Sequence, residues 1–295
     1  MIPVRAALGV VVAATLAAGA VVGSRGAAPS APSAPVPTCA AAGPYVPPPP
    51  DSVGTPAGLA LCPLRAALEI HTPGAVLDGL DLVGGIVVAA PDVVVRRSRI
   101  TGDGTVPAGV RTVGAGSVRI EDSTFTGAFT DAAVDGPAWV AERVELTGVE
   151  ADGARLGPSA TLRNSWLHDF RARPDREIDA VTLAAGDAGD VLVEANRVDL
   201  GRGPGLGSAV LVDPVVAARH ESDEPQRARK GPVLVRGNEL GGGQYTLLQD
   251  VGQGGEDVRI TGNRFHRDAA AATVRIRGSA TLVDNLFVDG GEVRR

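Results

Sequence analysis

Three aspartates open three similar short segments of this 295-residue chain: Asp131 in "DAAVDG", Asp152 in "DGARLG" and Asp179 in "DAVTLA". If the segments are equivalent strands of stacked coils, their carboxylates form one column spaced by the distance between hydrogen-bonded strands, about 5 Å. Like charges that close do not all ionise cheaply, so one takes a raised pKa unless a cation intervenes. The column then reads as an acid/base carboxylate pair or as an oxygen-donor Ca2+ site. A plainer reading has each Asp capping its own turn through backbone N–H groups. Arg111, Arg155 and Arg275 lie a few residues on, as counter-charges.

Immediately before Asp179 runs "HDFRARPDREID". His168 is a second candidate for proton transfer, beside Asp131, Asp152 and Asp179. Arg171, Arg173 and Arg176 suit the bidentate binding of carboxylates on an anionic sugar. Trp166 and Tyr245 are the candidates for stacking against sugar rings. A long loop in a regular array is either functional or a solvated bulge. A second insertion, "PVVAARHESDEPQRARKG" from Pro214 to Gly231, is a mixed-charge loop or a lid.

The elements that must position these residues are written as a repeat. One template recurs from Ala75 onward: apolar-x-apolar, two turn-like residues, a small polar residue, x, apolar, as in "DVRITGNRF" and "DVLVEANRV". Ser98, Ser123, Ser165, Asn196, Asn238, Asn263 and Asn285 fill the small polar position, and Leu80 and Val144 replace it in two copies. Most copies lie near 22 residues apart, and the two longer steps carry the insertions. A second short strand falls between copies, and helical periodicity is absent. A unit of about three short strands cannot bury its apolar side alone and must stack on its neighbours. The expectation is an all-β fold, a right-handed parallel β-helix of about nine coils. Strand alternation turns the small polar residues inward, so Asn196, Asn238, Asn263 and Asn285 are expected to bond coil to coil as a structural ladder. A nucleophilic role for Ser123 or Ser165 lacks a His and Asp partner nearby in sequence.

Composition agrees. Glycine (39) and proline (22) are abundant and aromatics make up 3%, which suits many turns and a thin aliphatic core. A net charge of −6 with scattered arginines argues against a nucleic-acid partner. Arg5 precedes an apolar run from Ala6 to Gly23, so residues 1–28 read as an export signal, or as a membrane anchor if left uncut. Residues 29–54 read as a Pro/Ala/Ser-rich linker and 55–295 as the β-helix. The expected location is secreted or extracellular, with membrane anchoring through an uncleaved N-terminal segment as the alternative. Cys39 and Cys62 flank the proline-rich stretch and, in an exported chain, pair as one disulfide.

The phrases "GAVLDGLDLVGGIVV", "DVVVRRSRITG", "DVRITGNRF" and "SATLVDNLF" resemble the repeats of right-handed parallel β-helix proteins of the pectate-lyase-like superfamily, particularly secreted actinobacterial members. The resemblance covers roughly Thr55 to Gly291 and implies a fold shared by lyases, hydrolases, epimerases and non-catalytic adhesins. The motifs of the enzymes are missing. "SWLHDF" exchanges the His and Asp of the pectate-lyase Trp-x-Asp-His phrase, "RARPDR" has the wrong spacing for Arg-x-Pro-x-x-Arg, and no Gly-His-Gly phrase of the polygalacturonases occurs. Two functions therefore compete: a protein that binds or processes a polysaccharide, an acidic one in particular, as a lyase or glycoside hydrolase if an enzyme; and a non-catalytic, adhesin-like β-helix of the cell envelope.

Overall fold

A computed structural model describes residues 47–183, 189–212, 230–249 and 257–294. The chain is a parallel β-helix, in which short strands stack into three walls around one apolar core. The first wall runs through Arg99–Asp103, Thr124–Ala128, Glu145–Val149, Trp166–His168, Arg197–Asp199, Glu239–Gly241, Arg264–Phe265 and Leu286–Phe287. The second runs through Ala108–Thr112, Ala132–Gly136, Asp152–Leu156, Val181–Leu183, Ser208–Val212, Tyr245–Gln249 and Ala272–Ile276. Two nine-residue strands, Cys62–Ile70 and Leu80–Val88, span both walls and merge them into one sheet. The third wall is a separate nine-stranded sheet from Val76–Asp78 to Thr281–Val283.

The strands of each wall pair in parallel from coil to coil, and their register stacks like on like. Leu82, Ile100, Phe125, Leu146, Leu167, Val198, Leu240 and Phe265 form one inward column of the first wall. All are essentially inaccessible to water, and burying such a side chain stabilises by about 1.5–3 kcal/mol. Trp139 stacks beside Val118 in the third wall and is fully buried.

Each corner between the third and first walls is a bend with two parts. The first is a residue in the left-handed region, among them Arg97, Asp122, Arg143, Asn164, Ala195 and Asp284. That conformation is unfavourable for a side chain bearing Cβ. The second, except where Leu80 and Val144 stand, is the recurring Ser or Asn that follows it. Leu80 N–H donates to Ser98 Oγ, Ser98 N–H to Ser123 Oγ, and Val144 N–H to Ser165 Oγ. Ser165, Asn196, Asn238 and Asn263 each donate their N–H to the Oδ1 of the Asn one coil on, ending at Asn285. The Asn amides also bond one another and a main-chain carbonyl, for example Asn238 Nδ2 to Val193 O at 3.0 Å and to Asn263 Oδ1 at 2.9 Å. These buried bonds hold the strained bends in place.

The fold begins ahead of the boundary read from sequence. Pro50–Ser52 form a short 3-10 turn, and the following residues lie along the corner of several coils. Gly54 N–H donates to Arg143 O, Thr55 Oγ1 donates to Ser98 O, and Thr55 and Thr124 exchange backbone-to-hydroxyl bonds. Gly54 has φ +78° and a Cβ there would lie 2.7 Å from Thr124 Oγ1, so only glycine fits this strap. Its proline-rich composition resembles a free linker, which is why sequence reading placed it outside the domain. At the other end the tail turns back: Glu292 bridges Leu286 and Val293 is buried. The export segment, most of the linker and Cys39 lie outside the described residues, as does most of the second insertion. Cys62 is exposed, and no disulfide occurs among the described residues.

Candidate functional site

The first insertion leaves the first wall at His168 and rejoins the second at Asp179. The register of the second wall sets Asp152 beside Asp179, since Ala154 pairs with Val181, and sets Asp179 beside Ser208, since Val181 pairs with Val210. Asp131 is not in this column. Val134 pairs with Ala154, which puts Ala132 opposite Asp152 and moves Asp131 one position back into the corner. Matching the first Asp of "DAAVDG" to that of "DGARLG" misses this shift; the inward apolar residues, Val134 and Ala154, give the true alignment. The same shift exposes an overlooked carboxylate. Asp135 is fully buried and shares the Arg111 guanidinium with Asp131, at 2.6 and 2.5 Å.

Asp152 and Asp179 behave as rungs. Asp152 Oδ1 accepts the N–H of Asp179 at 3.1 Å, and Asp179 Oδ1 accepts the N–H of Ser208 at 2.6 Å. Asp152 Oδ2 is held by Arg155 Nε at 2.8 Å. Burial, reinforced by the charge of Asp152, pushes the Asp179 carboxyl up to about 8 against the opposing Ser208 N–H bond. At neutral pH it is therefore largely protonated beside a paired carboxylate, the polarity of an acid/base pair. Its side chain is nevertheless shut away from solvent. A Cβ on Gly207 would lie 2.4 Å from Glu177 Oε1 and 2.6 Å from Asp179 Oδ1, so the exposed Glu177 and the buried Asp179 close over that glycine. Among the described residues no three His, Cys, Asp or Glu side chains converge as metal ligands.

Two of the three loop arginines are used internally. Arg176 reaches back across the corner and donates to the carbonyls of Thr130 and Asp131. Arg173 is paired bidentately with Asp175, at 3.0 and 3.1 Å. Arg171 is the open one. Its side chain is 67% exposed, its nearest carboxylate is Glu150 at 3.5 Å, and its guanidinium lies over Gly148 on the outer face of the first wall. The loop, with Pro204 and Gly205, lines a shallow groove.

Beside Gly148 in the next coil stands a pair of rings. Trp166 and His168 alternate on one strand, face outward and stack with centroids 3.6 Å apart. His168 Nδ1 is 2.7 Å from Asp169 Oδ2 and Nε2 is 3.3 Å from Glu145 Oε1. Desolvation lowers the His168 pKa, but the two carboxylates together outweigh it and hold it above the ordinary value. Glu145 is the partner that sequence reading missed. Its signal was present, because it occupies the Trp166 position one repeat earlier. Thr124 Oγ1 donates to Glu145 and is itself clasped by Thr55 of the strap. Tyr245 is elsewhere: it follows Ser208 on the second wall, where its hydroxyl accepts a bond from Arg275. The structure thus brings Trp166, His168 and Arg171 to one face, and Asp152 and Asp179 into a separate buried column.

Compared with protein-family models, curated protein sequences and solved structures, the chain finds no match in any of the three.

Proposed function

We propose that the chain is an exported β-helix of the pectate-lyase-like kind that binds a polysaccharide, an acidic one in particular, on the outer face of its first wall. The stacked Trp166–His168 pair carries the reading. An outward indole, oriented by a neighbouring ring whose two nitrogens are fixed by carboxylates, is a rigid apolar face of the kind that accepts the face of a sugar ring. Arg171, one strand away and open to solvent, supplies a planar donor for a sugar carboxylate. Binding without turnover is favoured, because the carboxylates suited to proton transfer are engaged internally and Asp179 is closed off. The same observation supports the second reading, an adhesin-like β-helix of the cell envelope, which differs in what it does after binding.

The test is calorimetric titration with polygalacturonate and with a neutral glucan, with and without Ca2+, while reducing ends and unsaturated products are assayed. Binding that Trp166→Ala weakens by about fivefold or more, with no product, is expected from the loss of one stacking face of about 1–3 kcal/mol. No binding to either polymer defeats the proposal. Product formation abolished by Asp179→Asn would replace it with a catalytic one. Export carries its own expectation: a Cys39–Cys62 disulfide in secreted material, seen as a mass shift on reduction and alkylation.

A further inference from the structure

The two ends of the solenoid are finished differently. At the C-terminal end the tail folds across the last coil, with Val293 buried. At the N-terminal end the strand Cys62–Ile70 pairs with Leu80–Val88 along one edge, and among the described residues nothing pairs with its other edge. Its core-facing residues are left half-covered. Leu64 is 39% exposed, and Ala66, Leu68 and Ile70 are only partly buried although they pack against the core. A long, apolar, unpaired edge is a template for another strand unless something covers it.

The sequence of this edge is complementary to itself. Cys62 N–H donates to Gly79 O and Ile70 O accepts from Ala89 N–H. The even-numbered residues therefore point their main-chain groups at Leu80–Val88, and Arg65, Ala67 and Glu69 point theirs at the open edge. In "LRAALEI" an antiparallel pairing with an identical strand, centred on Ala67, sets Arg65 opposite Glu69 at both ends. It also sets Leu64 opposite Ile70 and Ala66 opposite Leu68 on the core side. Pairings centred on Arg65 or on Glu69 would place like charges face to face, which is destabilising. Arg65 and Glu69 are free to turn to such a partner. Their side chains are mostly exposed, and their present contacts, to Asp103 and His71, are long at 3.4 Å.

We propose that the partner of this edge is a second copy of the chain, and that the protein forms a two-fold, head-to-head dimer through Cys62–Ile70. Two solenoids would then share a continuous sheet and close each other's open core, an isologous contact. The inference is independent of the polysaccharide reading, because the edge lies at the end of the solenoid and the Trp166 face on its side.

Sedimentation velocity of the full chain tests it. The wild type should sediment at twice the mass of the 29.8 kDa chain. Arg65→Glu and Glu69→Arg should each weaken association by roughly tenfold or more, since each sets like charges opposite. The double variant Arg65→Glu/Glu69→Arg should restore the dimer. Unchanged far-ultraviolet circular dichroism establishes that each variant is folded. A monomeric wild type overturns the proposal, including the case in which edge amides are protected from exchange because upstream residues cover them. A dimer indifferent to the single reversals, or not restored by the double, overturns it as well.

Discussion

Replacing Asn238 by alanine removes the most connected rung of the corner ladder. Its Oδ1 accepts Asn196 N–H at 2.9 Å and Asn196 Nδ2–H at 3.0 Å, and its Nδ2 donates to Val193 O and Asn263 Oδ1. Two of the four partners keep another bond. Asn196 Nδ2 still reaches Leu162 O, and Asn263 Oδ1 still accepts Asn238 N–H. The Asn196 N–H is the group left buried without an acceptor, at about 1–3 kcal/mol, and the remaining lost bonds add about 0.5–1.5 kcal/mol each. Asn238→Ala should therefore cost about 2.5–7.5 kcal/mol. Asn238→Ser should cost less, because a serine at this position elsewhere in the ladder accepts the same N–H, as Ser123 does for Ser98. Urea titration followed by circular dichroism measures both, with equal m-values as the check that the two variants unfold alike. Amide exchange at Asn196 reports the local effect. An alanine variant within 1 kcal/mol of wild type, or a serine variant no better than alanine, would refute the ladder as a source of stability.

The protonation of Asp179 sets a pH dependence. Its carboxyl is at about 8 when folded against 3.8 for an ordinary aspartate, so the folded state holds a proton that the unfolded state releases. Stability should then fall as pH rises from about 4 to 8, by up to about 1.4 kcal/mol per pH unit from this group, and level off above. Asp179→Asn keeps an acceptor for Ser208 N–H and should flatten that slope in melts across the range; an unchanged slope would place the titration elsewhere. Gly207→Ala should push Glu177 and Asp179 apart and lower stability by about 1–3 kcal/mol, with faster proteolysis of residues 170–178. Arg176→Met should release the loop from the Thr130 and Asp131 carbonyls, read as increased amide exchange there while the rest of the solenoid is unaffected.

What could be read from the sequence follows from how each feature is encoded. The inward column from Leu82 to Phe265 and the Ser/Asn positions recur with the coil, so each copy corrects the others, and a parallel β-helix follows from their spacing. Asp131 shows the limit of that averaging. Within one strand the face a residue takes depends on a shift of a single position, and the two aspartates of "DAAVDG" offered two alignments of which only the inward Val134 could choose. Charge was harder to read. Three arginines and four acidic residues, counted from Asp169 to Asp179, look like an anion site, yet Arg173 is spent on Asp175 and Arg176 on carbonyls some 45 residues away. Neither contact has a sequence signature, because a main-chain carbonyl is available everywhere.

The same distinction separates structure from function along this solenoid. A group that recurs in every coil sees the same neighbours above and below, and its hydrogen bonds are used up by them, as with Asn196, Asn238, Asn263 and Asn285. Ligand binding needs a group whose neighbours leave it something to offer, which requires the repeat to fail locally. Trp166 follows Glu145 in its column and Arg197 follows Trp166, so neither neighbour continues the indole stack. His168 follows Thr147 and turns its nitrogens to Glu145 and Asp169 instead of to the next coil. Asp179, although chemically poised, still bonds upward to Ser208 and downward to Asp152 as a rung does. By this criterion the Trp166 ring at the start of the first insertion is the group on which the proposed binding rests, and the buried acid at its end is part of the wall.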